Sequence, residues 1–173
     1  MSIFSRASSS LQRVLMGGPT HLQAGNQAPE LGVMSTDGGI ISVADLRGQP
    51  WVLYFYPKDE TPGCTAQACD LRDSWERITA RGVKVFGCSL DGVDAHKKFI
   101  QHHELPFPLL ADTQGVVAER YGVLGGIGPV KMARRVTFVV NAEGQLTHIF
   151  DPARTKGHAQ EVLDALTAEG ASA

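Results

Sequence analysis

Six consecutive residues, Trp51-Val52-Leu53-Tyr54-Phe55-Tyr56, are all apolar or aromatic, and Pro57 follows them directly. A strand with one wet face would alternate in polarity, so this run reads as a strand covered on both faces, inside a sheet with layers above and below. Pro57 ends it, having no N–H to give to a ladder. The run is also the longest apolar stretch of the chain and falls far short of the ~18 residues of a membrane span. No membrane segment is therefore expected.

A helical stripe comes next: Cys64, Ala68, Leu71, Trp75 and Ile78 share one side, with Asp70, Arg72, Asp73, Glu76 and Arg77 elsewhere. Arg81-Gly82 stops this single expected helix, and residues 83–89 read as the next strand. A second helix fits residues 93–103, with Phe99 and Ile100 inward. Residues 106–110 suggest a short strand and 116–121 a third helical stretch. Residues 136–140 and 146–150 flank a turn at Asn141-Ala142-Glu143-Gly144 and read as a hairpin. A helix over 158–169 closes the chain. The alternation predicts an α/β sandwich whose central mixed sheet is flanked by helices, the hairpin being its antiparallel part.

At 173 residues, 43% apolar and 20% charged, the chain suits one globular domain, taken as residues 23–173. Residues 1–22 form an extension whose first acidic residue lies beyond it, at Glu30. Ile3, Ala7, Leu11, Val14 and Leu15 recur at helical spacing, so the first 16 residues read as a short amphipathic helix. The segment is Ser-rich and acid-poor, as organelle transit peptides are, but it carries only Arg6 and Arg13, and it lacks the apolar core of a secretory signal. The reading is a bland tail, with targeting as its alternative, on a cytoplasmic protein. A net charge of −2 with mixed signs gives no electrostatic case for nucleic acid. Three cysteines are too few for a disulfide-stapled scaffold.

The chemistry points to those cysteines. Cys64 follows Thr61-Pro62-Gly63, where strand gives way to helix, and the positive end of a helix stabilises a thiolate. An ordinary thiol, with a pKa of about 8.5, is only a few per cent ionised at neutral pH, so such help matters. The same position on the apolar stripe equally suits an inert, buried cysteine. Cys69 weighs against the inert reading. Five residues apart on a straight helix, two Cα atoms are separated by about 8.6 Å and about 140° of rotation, whereas a disulfide needs Cα atoms within about 7 Å. The pair can bond only if the first turn or two unwinds, losing backbone hydrogen bonds worth roughly 1 kcal/mol each. Closing so short a loop returns only about 2 kcal/mol. Such a bond is a poor staple and a good switch, because strained disulfides are readily reduced.

Other motifs fall away. There is no C-x-x-C pair and no H-E-x-x-H to hold zinc. His102 and His103, ~100° apart on a helix, read as a solvated face. Gly125-Gly126-Ile127-Gly128 lacks the Lys-Ser/Thr of a phosphate loop and reads as a flexible connection. Cys88, inside the strand at 83–89, reads as a small core residue.

The segment Tyr56-Pro57-Lys58-Asp59-Glu60-Thr61-Pro62-Gly63-Cys64-Thr65 resembles the active-site segment of the peroxiredoxins, and a second cysteine five residues on is similar to their bacterioferritin-comigratory-protein, or peroxiredoxin Q, branch. The likeness extends through Leu105-Pro106-Phe107-Pro108-Leu109-Leu110-Ala111-Asp112, Tyr121-Gly122-Val123 and Arg135-Val136-Thr137-Phe138-Val139-Val140. It departs at Glu30-Leu31, where that branch usually has Asp-Phe, and at Cys88, commonly aliphatic there. The resemblance implies a thioredoxin-like fold and reduction of hydrogen peroxide and organic hydroperoxides, with sulfur as the redox centre and no cofactor or metal. It implies Cys64 as peroxidatic nucleophile, Cys69 as resolving thiol, Thr61 as a hydroxyl beside the reacting atoms, Pro57 as a shield from water, and Arg135 as the active-site cation. Arg134, on the opposite face, would not serve. It further implies a monomer recycled by thioredoxin or a similar dithiol. A peroxide sensor or redox-regulated holdase would use the same cysteines with little turnover.

Overall fold

The doubly buried run becomes strand β3 (Trp51–Phe55), every residue of it buried. The computed structural model describes residues 18–171, so the helix expected over the first 16 residues lies outside them. Strand β4 (Lys84–Ser89) runs parallel to β3, with Phe55 opposite Cys88, and β5 (Leu109–Ala111) runs parallel to β4. On the other side β8 (Val136–Val140) lies antiparallel to β3 with Val136 opposite Phe55, and β9 (Leu146–Phe150) completes the expected hairpin. Strands β1 (Val33–Ser35) and β2 (Ile40–Ile41) extend the far edge, giving a seven-stranded mixed sheet in the order β2-β1-β5-β4-β3-β8-β9.

The two-residue period of β3 divides the core. Val52 and Tyr54, with Tyr56 beyond the strand end, face one layer, where they meet Cys64 and Leu71 of α1 (Pro62–Asp73), Ile78 of α2 (Trp75–Thr79), Phe99 of α3 (Val93–His103) and Val162 of α5 (His158–Ala171). Trp51, Leu53 and Phe55 face the other layer, with Leu31, Leu46, Tyr121, Phe138 and Val117 of α4 (Val116–Arg120). Each large side chain so buried contributes about 1.5–3 kcal/mol, which is why this strand tolerates no polar position.

Three local expectations are corrected. The single helix through Ile78 is two helices, because the Ser74 N–H turns to the Leu71 carbonyl, three residues back rather than four, at 3.3 Å. Trp75 and Ile78 still face the same layer as Leu71. The strand expected at 106–110 starts only at Leu109, since Pro106 and Pro108 have no N–H to offer. The glycine-rich connection is a two-stranded antiparallel ribbon, β6 (Leu124–Ile127) with β7 (Val130–Ala133). Gly126 is required in it: a Cβ there would collide with the Val130 carbonyl, and its φ is +138°. No helix among the described residues is long and apolar enough to cross a membrane.

The start of the described chain is already tied down. The Thr20 hydroxyl donates to the Tyr121 carbonyl at 2.6 Å, and the Thr20 N–H to Asp151 Oδ2 at 2.9 Å. Asp151 also accepts both terminal nitrogens of Arg134, at 2.6 and 3.0 Å, with both side chains largely buried. Burial works to raise the Asp151 pKa, but the hydrogen bonds from Arg134 and Thr20 outweigh it and hold the carboxyl below the ordinary range. A depressed folded-state pKa means stability that is present above the unfolded value of about 3.9 and lost as pH falls through the folded one. Asp151→Asn is therefore expected to cost about 3 kcal/mol in urea unfolding at pH 7. The gap from wild type should narrow as the pH is lowered below about 4.

Candidate active site

Beyond β3 the chain turns through residues 56–61 into α1. The Tyr56 N–H carries the ladder one step further, donating to the Cys88 carbonyl at 3.1 Å. Pro57 is half-buried at the head of this loop. Pro62 occupies the first position of α1, where a missing N–H costs nothing. Cys64 is thus the third helical residue, at the positive end of the helix, and only 1% exposed.

Arg135 closes over it. Nη2 stands 3.3 Å from Cys64 Sγ, and Nη1 donates to Gln67 Oε1 at 2.7 Å. Positions 64 and 67 lie on one helix face, three residues apart, so one planar guanidinium spans both. The Arg135 carbonyl accepts the Ala153 N–H at 2.9 Å, fixing the backbone beneath the side chain. Gly63 makes the approach possible, because a Cβ there would lie 3.1 Å from Nη2. Arg134 turns away to Asp151, as the alternation of faces required.

Gln67 was not singled out from the sequence, and Gly63 was read there only as suiting, with Pro62, a tight entry into the helix. Gln67, fully buried in the second turn of α1, is signalled only by its i+3 spacing from Cys64. Gly63 is a helix-start glycine whose purpose becomes visible only with Arg135 above it.

The loop is held from below by a buried network the sequence also left unread. The Tyr56 hydroxyl donates to Asp59 Oδ1 at 2.6 Å, and His96 Nδ1 lies 2.7 Å from Asp59 Oδ2. His96 Nε2 stands 3.0 Å from the Leu110 carbonyl, so both ring nitrogens face acceptors. The Asp59 N–H donates to Asp91 Oδ2 at 2.9 Å. The signal was there in a histidine placed on the apolar side of α3. Tyr54, stacked on Tyr56, is fully buried with its hydroxyl unpartnered. Burial first, then the charges of Cys64 and Asp59, push its pKa far up, so it stays a neutral phenol.

Thr61 precedes α1, and its hydroxyl donates to the Lys58 carbonyl at 2.7 Å. Its one proton is committed, so its lone pairs can only accept. Cys69 lies half-buried further along the same unbroken helix. Cys88 is fully buried in β4, where burial and then the Asp112 charge push its thiol pKa well up. His102 and His103 do not form a simple solvated face: both rings turn onto Glu60, and the His103 side chain is only 17% exposed.

The AhpC/TSA family profile matches residues 24–149. A putative peroxiredoxin bcp of Coxiella burnetii is 40% identical over 149 residues, covering 84% of this chain and 99% of that protein. Peroxiredoxin Bcp of Escherichia coli K12 is 37% identical over 147 residues, 83% and 94% of the two chains. Among solved structures, peroxidoxin BcpB from Mycobacterium tuberculosis superposes with a TM-score of 0.79 at 30% identity, over 86% of this chain and 98% of that one. A cysteine-to-serine mutant of PrxQ from Xylella fastidiosa gives 0.80 at 26% identity, over 87% and 98%. A mixed sheet with helices on both faces, a cysteine at a helix start under an arginine, and relatives spanning nearly their whole length put this chain in the AhpC/TSA family, as a peroxiredoxin of the Bcp/PrxQ branch.

Proposed function

We propose that Cys64 is the sulfur that reduces hydrogen peroxide and organic hydroperoxides in this peroxiredoxin, and that Cys69 resolves the product. The observation that carries this reading is the guanidinium nitrogen of Arg135, 3.3 Å from Cys64 Sγ at the first turn of α1. The Cys64 thiolate attacks one peroxide oxygen and the O–O bond breaks. The leaving oxygen takes a proton from solvent and departs as water or alcohol, and the sulfur keeps the other oxygen and its hydrogen as sulfenic acid. Charge passes from sulfur to the leaving oxygen, and Arg135 is placed to follow it with fixed donors. Thr61, already donating to Lys58, accepts the O–H of the incoming hydroperoxide and so orients it. Pro57 shields the sulfur from bulk water.

Resolution requires α1 to open. Cys69 attacks the sulfenic sulfur, a disulfide forms and water leaves. The Asp70 carboxylate, which accepts the Ala159 N–H of α5 at 2.7 Å, marks the point beyond which the helix stays clamped. The strained product is then reset by thioredoxin or a similar dithiol. In this reading the enzyme works as a cytoplasmic monomer, and residues 1–22 extend its catalytic domain of residues 23–173. The peroxiredoxin names of the matching relatives favour turnover over the sensor or holdase alternative.

A thioredoxin-coupled NADPH assay tests the scheme: Cys64→Ser should abolish peroxide consumption, whereas Cys69→Ser should keep the first reduction and lose thioredoxin recycling. Mass mapping of peroxide-treated protein should find Cys64 joined to Cys69, and a dominant Cys64–Cys88 link would sink the assignment. For Arg135→Ala, stopped-flow measurement of the reaction of reduced protein with hydrogen peroxide should show a rate constant lower by about 10²–10³-fold. An unchanged rate constant would remove Arg135 from the chemistry.

A further inference from the structure

Two groups of metal-ligating side chains lie outside the thiol chemistry, both where α3 meets the loop before α1. In the buried one, Asp59, Asp91 and His96 have their atoms engaged with Tyr56, Ser89, the Asp59 N–H and the Leu110 carbonyl. Both Asp59 oxygens and both His96 ring nitrogens are thereby taken. The other consists of Glu60, His102 and His103, and its side chains bond chiefly one another. His102 Nδ1 lies 3.0 and 3.1 Å from the two Glu60 oxygens, and His103 Nε2 lies 2.9 Å from Oε2.

The arrangement departs from what the local chain would adopt unprompted. Neighbouring side chains on a helix diverge by ~100°, yet these two rings come together, with centroids 4.2 Å apart and planes 36° apart. Glu60 holds a left-handed backbone, φ +64°, at a cost of roughly 1–2 kcal/mol for a residue with a Cβ. Its carboxylate is thereby brought to the C-terminal end of α3, where the helix dipole is negative and favours a cation rather than another anion. Arg72 answers part of that field, but through the His103 backbone carbonyl, at 2.7 Å, so both rings and the carboxylate are left to each other.

From this we infer that Glu60, His102 and His103 form a binding site for a divalent transition-metal ion of the zinc(II) type. Two imidazoles and a carboxylate are a donor set that zinc accepts. At zinc bond lengths of about 2.0–2.1 Å, tetrahedral ligands stand about 3.3–3.4 Å apart. The present 2.9–3.1 Å separations need to open by only a few tenths of an ångström. Neutral imidazole binds through the nitrogen that now faces Glu60, its proton passing through solvent to the other ring nitrogen. His102 and Glu60 side chains are 69% and 44% exposed, which leaves the fourth position to water. The ion would join α3 to the residue before Thr61, a second fastening of the loop beside the Asp59–His96 pair. This inference goes beyond the peroxidase reading and does not depend on it.

The test uses the untagged full-length chain carrying Cys64→Ser and Cys69→Ser, so that the accessible thiols do not compete for metal. Calorimetric titration with zinc chloride should show one saturable equivalent, and the melting temperature should rise with zinc. Adding His102→Gln should weaken binding at least tenfold. Because that side chain is mostly exposed, far-UV circular dichroism should be unchanged. Adding Glu60→Gln and His103→Gln should each do the same to the affinity and remove the zinc-dependent rise in melting temperature. No saturable binding by the parent protein, or binding left intact by His102→Gln together with His103→Gln, would overturn the site.

Discussion

The contact between Arg135 and Cys64 places a fixed guanidinium 3.3 Å from a sulfur that water hardly reaches, and the rest of the site is arranged around it. Its placement is a matter of strand register. Arg135 stands immediately before β8, whose first residue pairs with Phe55, the last residue of β3. The arginine therefore arrives where the chain leaves β3 for the loop and α1. A one-residue slip of β8 would exchange the faces of Arg134 and Arg135. The Arg134–Asp151 pair opposes that slip, since it satisfies the neighbouring guanidinium on the other side and leaves Arg135 to the sulfur.

The loop between β3 and α1 is fastened with similar care. Asp59 reaches down to His96 and Tyr56, Glu60 reaches across to His102 and His103, and both sets of partners stand on α3 or at the end of β3. Thr61 then enters the helix with its hydroxyl already bonded to Lys58. In the proposed cycle, the bonds before the helix and at Asp70 confine the rearrangement to the first two turns of α1. The opening proposed for Cys69 would then be confined to the stretch that also carries Cys64.

Much of this was legible in the chain. The unbroken apolar run fixed β3 as a central strand, and the periodicity gave α3 and the terminal hairpin with their observed limits. Cys64, Cys69, Thr61, Pro57 and Arg135 were picked out by spacing and by likeness to a known segment, and Arg135 does meet Cys64. What escaped depends on partners remote in sequence. Gln67 matters because Arg135, 68 positions away, needs an acceptor, and His96 because Asp59 turns inward beneath the loop. The break at Ser74 and the ribbon at Gly126 were missed for a different reason: the same hydrophobic stripe fits one helix or two, and glycine permits both a loose connection and a close strand pair.

In the proposed cycle one helix serves two incompatible geometries, intact for attack and opened for resolution. Amide hydrogen exchange on the reduced and the peroxide-oxidised protein tests it most directly. With the Cys64–Cys69 disulfide verified by mass, protection over residues 63–70 is expected to fall sharply on oxidation. Beyond Trp75, where Ile78 is buried in its layer of the core, little change is expected. Equal protection over 63–70 in both states, with the disulfide present, would contradict the account.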